Sequence, residues 1–192
     1  MQVRLQSCWA PKHGSTEEEY EDAFAPKGEG ILEGDSLRFA VADGATEAAF
    51  SRVWAGLLVD GYVGHDIGSR DKQNEEGLEK LSQEWWSQVG SRPLPWYGEH
   101  KRTLGSFAAL LGFELEGSDT PGTGTWRAYG VGDCCMFHIR AGQMRGSFPQ
   151  TEPEDFGSRP TLLSSKMEKN TNALSGAAIA WGDWQEGDEF YL

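Results

Sequence analysis

Residues 36–44 constrain the fold of this chain more than any other tract, because an apolar run closes there on Asp43-Gly44 and the hydrophobic period then changes. Before the corner, Phe39, Ala40, Val41 and Ala42 follow one another without a polar break, as in a strand covered on both faces. After it, Phe50, Val53, Trp54, Leu57 and Leu58 recur at helical spacing, which makes the stripe of an amphipathic helix. A chain that passes from buried strand to amphipathic helix at one corner has to lay the helix back on the sheet it has just left.

The remaining pattern sorts the same way. Alternation or short apolar runs predict strands at residues 3–9, 22–25, 36–42, 107–115, 125–131, 134–140, 144–148, 177–181 and 189–192. A second helix is expected over residues 74–89, with Leu78, Leu81, Trp85 and Val89 on one side. Residues 26–34 read as a Gly-rich turn, 91–102 as a Pro-containing loop, 150–169 as irregular chain and 182–188 as a turn. Helices segregated from a run of antiparallel strands argue for α+β architecture. The last residues, Phe190-Tyr191-Leu192, are apolar and mid-strand, so a single domain over 1–192, incomplete at its C-terminal end, is expected.

Composition removes several function classes. With 38% apolar residues, eight Trp and nine Phe, the chain can build a core and is not a disordered one, despite its mean hydropathy of -0.54. Thirty acidic residues against 17 basic give a net charge of -13, and no Lys/Arg block exists to replace phosphate counterions, so nucleic acid is not an expected partner. The longest apolar stretch, residues 107–113, is too short to span a bilayer. The cysteines number three (Cys8, Cys134, Cys135), and the four histidines fall at no ligand spacing. Neither a disulfide framework nor a zinc site is expected, and a cytoplasmic location is.

Three acidic segments can carry chemistry. Asp43 follows a buried strand, where a lone charge is costly and a partner is expected, and Gly44 allows a sharp turn that offers its carbonyl to a hard cation. The alternative is a plain cap, with Asp43 at the start of a helix over residues 45–62. Glu21-Asp22, in EYEDAF, stands at the edge of a strand, where alternation aims one of the two at a given face. That pair is otherwise part of an acidic loop over residues 17–22. Asp133, in YGVGDCC, can approach the same place or belong to a β-turn. Gly182-Asp183 and Gly187-Asp188 read as turns; Trp85, Trp86, Trp96 and Trp126 read as core or interface. No glycine cluster makes a phosphate loop.

Taken in order, EDAF, FAVADG, LGSFAALLGFEL, YGVGDCC and QEGDEFYL resemble the metal-dependent type-2C serine/threonine protein phosphatases, from about Lys12 to the last residue. The resemblance implies two packed antiparallel sheets flanked by helices, and two Mg²⁺ or Mn²⁺ ions at one end of that sandwich. Carried over by motif, Asp43 would bridge the ions, the Gly44 carbonyl would bind one, and Glu21 and Asp22 would ligate directly or hold bound water. Asp133 joins them as a candidate ligand. A metal-activated water would attack phosphoserine or phosphothreonine in a phosphorylated protein substrate, the work of a signalling phosphatase opposed to a partner kinase. The family often places an Arg a few residues before its Glu-Asp pair; here the position five before Asp22 is Glu17, and Lys12 or His13 would take over the phosphate. Cys134 stands where Ser is usual, and two further metal-binding Asp residues of the family would lie beyond Leu192. A non-catalytic interaction module with a degenerate metal site is the competing expectation, and another two-metal phosphoesterase a third.

Overall fold

The computed structural model describes the chain apart from residues 12–15, 17–19, 47, 70, 95, 153–156 and 158–159, and the side chains of residues 96 and 97. In chain order the strands β1 (Gln2–Leu5), β2 (Ala23–Ala25), β3 (Gly30–Glu33) and β4 (Ser36–Gly44) come first. Helices α1 (Ser51–Val63), α2 (Lys72–Val89) and α3 (Trp96–Leu104) follow. Strands β5 (Phe107–Gly117), β6 (Thr123–Val131), β7 (Met136–Arg140), β8 (Gln143–Phe148) and β9 (Leu163–Ser164) come next. The short helix α4 (Thr171–Ser175) leads to the closing strands β10 (Ala178–Gln185) and β11 (Glu189–Tyr191), which join different sheets. The α+β reading therefore holds, with flanking helices and antiparallel sheets.

The main sheet has six strands in the order β10-β6-β5-β4-β2, with β9 also on β5. Strict alternation divides its side chains between two cores. Ala40, Ala42, Ala108, Leu110, Tyr129 and Val131 face the helices, where they meet Trp54, Leu58, Tyr62, Leu78 and Trp85. Phe39, Leu111, Phe113, Leu115 and Ala128 face the other way, against Met136 of β7 and Phe148 of β8, with Val3, Leu32 and Phe190 at the margin. A two-stranded ribbon, β1-β3, and a three-stranded sheet, β11-β7-β8, form that second layer. The run 39–42 is apolar throughout because both of its faces are covered.

Three expectations need correction. Residues 30–33, read as turn, form β3, because Gly30 to Glu33 pair with Leu5 to Gln2 of β1. Residues 96–102, placed in a loop, form most of α3; Arg102 docks its last turn by donating to the Val89 and Arg92 carbonyls at 3.1 and 2.8 Å. Gly182-Asp183 is no turn: β10 runs on to Gln185, with Gly182 opposite Trp126, whose ring occupies the place of a side chain there. Among the described residues no helix is long and apolar enough to cross a membrane.

Candidate active site

The carboxylates gather at one end of the main sheet because three strands terminate there. Asp43 is the penultimate residue of β4 and lies opposite Ala109 of β5. On the other side of β4, β2 pairs Ala23 with Ala42, and one further step of that register sets Asp22 level with Asp43. Beyond β5, β6 ends at Val131 opposite Leu110, and Gly132-Asp133 follow directly. β6 having departed, β9 takes its place by pairing Ser164 and Leu163 with Phe107 and Ala108. Between these ends opens a shallow cavity of about 170 Å³ lined by Asp43, Gly44, Ala45, Thr46, Asp133 and the approach to β9, Pro160 and Leu162.

Two glycines keep the strand ends this close. A Cβ on Gly44 would sit 2.6 Å from the Glu21 carbonyl oxygen and 3.0 Å from Ser51 Cβ. Its φ is not among the positive values, so packing of β2 and α1 on the corner, rather than a left-handed turn, is what demands glycine there. Gly132 combines both demands, with φ of 100° and a Cβ that would meet Ala109 Cβ at 2.5 Å.

The electrostatics show that the acids share one neighbourhood. Burial first, and then the negative charge of Asp43, pushes the Cys134 thiol up to about 12; Asp133 and Asp22 add to it, and a hydrogen bond with the Asp43 backbone offsets part. Burial, followed by the charges of Asp22 and Asp43 and a hydrogen bond to the Asp22 carboxylate, also raises the Tyr20 phenol. Cys134 and Tyr20 thus remain protonated beside the carboxylates. Neither stood out as a site residue in the sequence, although Tyr20 and Asp22 are two apart in extended chain and so share a face.

Glu21 points elsewhere. Its carboxylate accepts a hydrogen bond from Ser51 Oγ at 2.8 Å, joining the entry of β2 to the first turn of α1. The plain-cap alternative for Asp43 also falls away, since α1 starts at Ser51 with Phe50 in the capping position and no side-chain cap. Asp133 sits in a bend, as a turn residue would, and lines the cavity as well. Lys12 and His13, the expected phosphate contacts, lie outside the described residues, as does Glu17. Among the described residues no three His, Cys, Asp or Glu side chains converge closely enough to hold one ion.

Solved structures share this architecture. The chain superposes over 98% of its length on the photosystem II phosphatase PBCP, with a TM-score of 0.54 and 20% identity. It covers 99% of itself on the catalytic domain of the serine threonine protein phosphatase PstP, solved in complex with two manganese ions, with a TM-score of 0.52 and 11% identity. The fold is that of the type-2C phosphatases. The chain spans 62% of the length of the PBCP chain and 74% of that of PstP, so it matches a part of each type-2C fold. No protein-family model matches the sequence, and no curated protein does.

Proposed function

We propose that this chain belongs to the metal-dependent type-2C protein phosphatases and that its site serves hydrolysis of phosphoserine or phosphothreonine in a protein substrate. The observation that carries the reading is the nearness of Asp22, Asp43 and Asp133 to one buried thiol, Cys134, beside a cavity that Asp43 and Asp133 line. Asp43 is exposed rather than buried, and neighbouring carboxylates repel one another unless a cation offsets them.

The donor set fits a hard divalent cation that keeps most of its shell as water. Mg²⁺ and Mn²⁺ are held in this way by one or two carboxylates together with substrate phosphate. Asp22, Asp43 and the Gly44 carbonyl would hold the ion, with Asp133 facing it across the cavity. When bound, such a cation lowers the pKa of water and neutralises charge on phosphoryl oxygens. The chain's own contribution is geometric: β2 pairs with β4 from Ala23, the residue after Asp22, and Glu21, through Ser51, fixes where β2 enters. Cys134 adds no competing negative charge, because its buried thiol stays neutral. Binding of substrate phosphate by Lys12 or His13, a second ion, a partner kinase and a cytoplasmic setting remain part of this proposal.

A second reading, a non-catalytic module with a degenerate metal site, draws on the lack of any three-ligand group among the described residues. One experiment separates the two. Hydrolysis of a phosphopeptide should require Mn²⁺ and should fall at least about 100-fold in an Asp43→Asn variant, about 3 kcal/mol in the barrier. Absence of Mn²⁺-dependent turnover by the wild-type protein, or an Asp43→Asn variant at full rate, would favour the non-catalytic module.

A further inference from the structure

We propose that the surface around Trp86 docks an acidic segment of the protein substrate, beside its phosphorylated residue. The proposal rests on the phosphatase reading above and names a chemical class of substrate for it. Trp86, near the end of α2, and Leu104, the last residue of α3, are each 46% exposed. The charges around them run against those of the chain. Residues 86–107 and 162–175 carry Arg92, Lys101, Arg102, Lys166 and Lys169 against Glu99 and Glu168, in a chain whose net charge is -13. Lys166 extends its ammonium over the Trp86 ring, 4.8 Å from the centroid, and the Arg102 guanidinium lies 5.9 Å from the same centroid. Gly105 leaves the room for this, since a Cβ there would meet Lys166 Cγ at 2.6 Å. Lys169 Nζ lies 5.2 Å from the centroid of the Phe107 ring and donates to the Leu104 carbonyl at 2.6 Å. These contacts fasten Trp86, Lys166, Leu104 and Lys169 into one surface.

That surface adjoins the candidate active site. Ala45 lines the cavity, and its N–H donates to the Phe107 carbonyl at 2.9 Å. From there the contacts continue through Phe107 and Lys169 to Leu104, Lys166 and Trp86. The site itself repels an anionic substrate, because Asp22, Asp43 and Asp133 lie together in a chain of negative net charge. Cations fixed beside it offset that repulsion locally and favour acidic partners over others. Arg102 braces the surface rather than contacting a partner, being engaged by Glu99 and by the Val89 and Arg92 carbonyls. Lys169 uses one N–H on Leu104, and an ammonium carries three. Trp86 and Leu104 add apolar area for an aliphatic or aromatic residue among the acids. A nucleic acid suits the surface poorly, because a long polyanion would run off these few cations onto a negative surface.

Two fluorescein-labelled phosphothreonine peptides, one with Glu and Leu on both flanks and one with Gln replacing each Glu, are titrated with the full chain in EDTA. Anisotropy then reads binding without turnover. The wild type should bind the acidic peptide about 10-fold more tightly, and the preference should vanish in the double variant Lys166→Gln/Lys169→Gln. It should also fade in the wild type at about 0.5 M NaCl, a measurement that needs no variant to fold. With Mn²⁺, the double variant should lose about 10-fold in kcat/KM on the acidic phosphopeptide and keep its rate on p-nitrophenyl phosphate, which is too small to reach the surface. Equal binding of the two peptides by the wild type, or a preference that survives the double variant or the salt, overturns the proposal. Tighter binding of an oligo(dT) of matching charge through the same lysines overturns it in favour of a nucleic acid. If the acidic preference holds but the wild type hydrolyses no phosphopeptide with Mn²⁺, the docking surface stands and the phosphatase reading falls, and with it the partner's role as substrate.

Discussion

Gly112 shows how a single residue sets the fit of helix on sheet. It lies in the middle of β5, where a Cβ would fall 2.1 Å from Tyr62 Cε2. Tyr62 has no room to retreat: it is fully buried, and the Arg38 guanidinium covers its ring at 4.1 Å. Burial also pushes the Tyr62 phenol up to about 12. Gly112→Ala is therefore expected to destabilise the protein by about 3 kcal/mol, read as a lower urea midpoint, while Gly146→Ala, with open space around it, provides the control. In the string FAALLGFEL this glycine looks like a weak point in a strand, and only the packed helix explains it. Asp43 is the opposite case. Its place after a buried strand was legible from FAVADG, because burial on both faces leaves a continuous apolar run whose end is plain. The orientation of Glu21 was not legible, since its partner Ser51 lies 30 residues away.

Among the elements, the closing turn from β10 to β11 depends on Asp188. Its side chain is 2% exposed and accepts from Arg140 Nε at 2.7 Å, Arg140 Nη2 at 2.6 Å, His138 Nε2 at 2.9 Å and the Gln185 N–H at 3.0 Å. This one carboxylate shapes the turn between β10 and β11 and ties it to β7. The hydrogen bond from Arg140 is the largest cause holding Asp188 well below the usual carboxylate range. Because the folded-state value is depressed, the stabilisation is complete above the ordinary aspartate range and is lost as pH falls through that range toward the folded value. Asp188→Asn should lower stability by about 2 kcal/mol at neutral pH. The difference from wild type should shrink below about pH 4; a gap independent of pH in acid unfolding would contradict this. Gly187-Asp188 was legible as a turn from its residue types, and Gly187 does take a φ of 88°. The extension of β10 through Gly182-Asp183 was not, because its ladder partners there are the distant Trp126 and Thr125 of β6.

At the scale of the molecule, the -13 charge acts on the compact state as a whole. Self-repulsion favours expansion, so raising NaCl from low salt to about 0.15 M, where the screening length is about 8 Å, should raise the urea midpoint. A midpoint that falls or stays level would show that local pairs such as Arg38–Glu114 and Arg140–Asp188 outweigh the net charge. The type-2C fold itself was legible from five short motifs in order, although overall identity to the solved structures is only 20% and 11%. By itself the sequence determined the strand and helix periods, the α+β class and the acids that end apolar strands, because burial and local geometry leave a mark within a few residues. Tertiary structure alone decided that Asp22, Asp43 and Asp133 come near one another at one sheet end and that Glu21 turns to α1. Those outcomes depend on the register between strands far apart in the chain and on the close approach that Gly44 and Gly132 permit, and neither is written in local pattern.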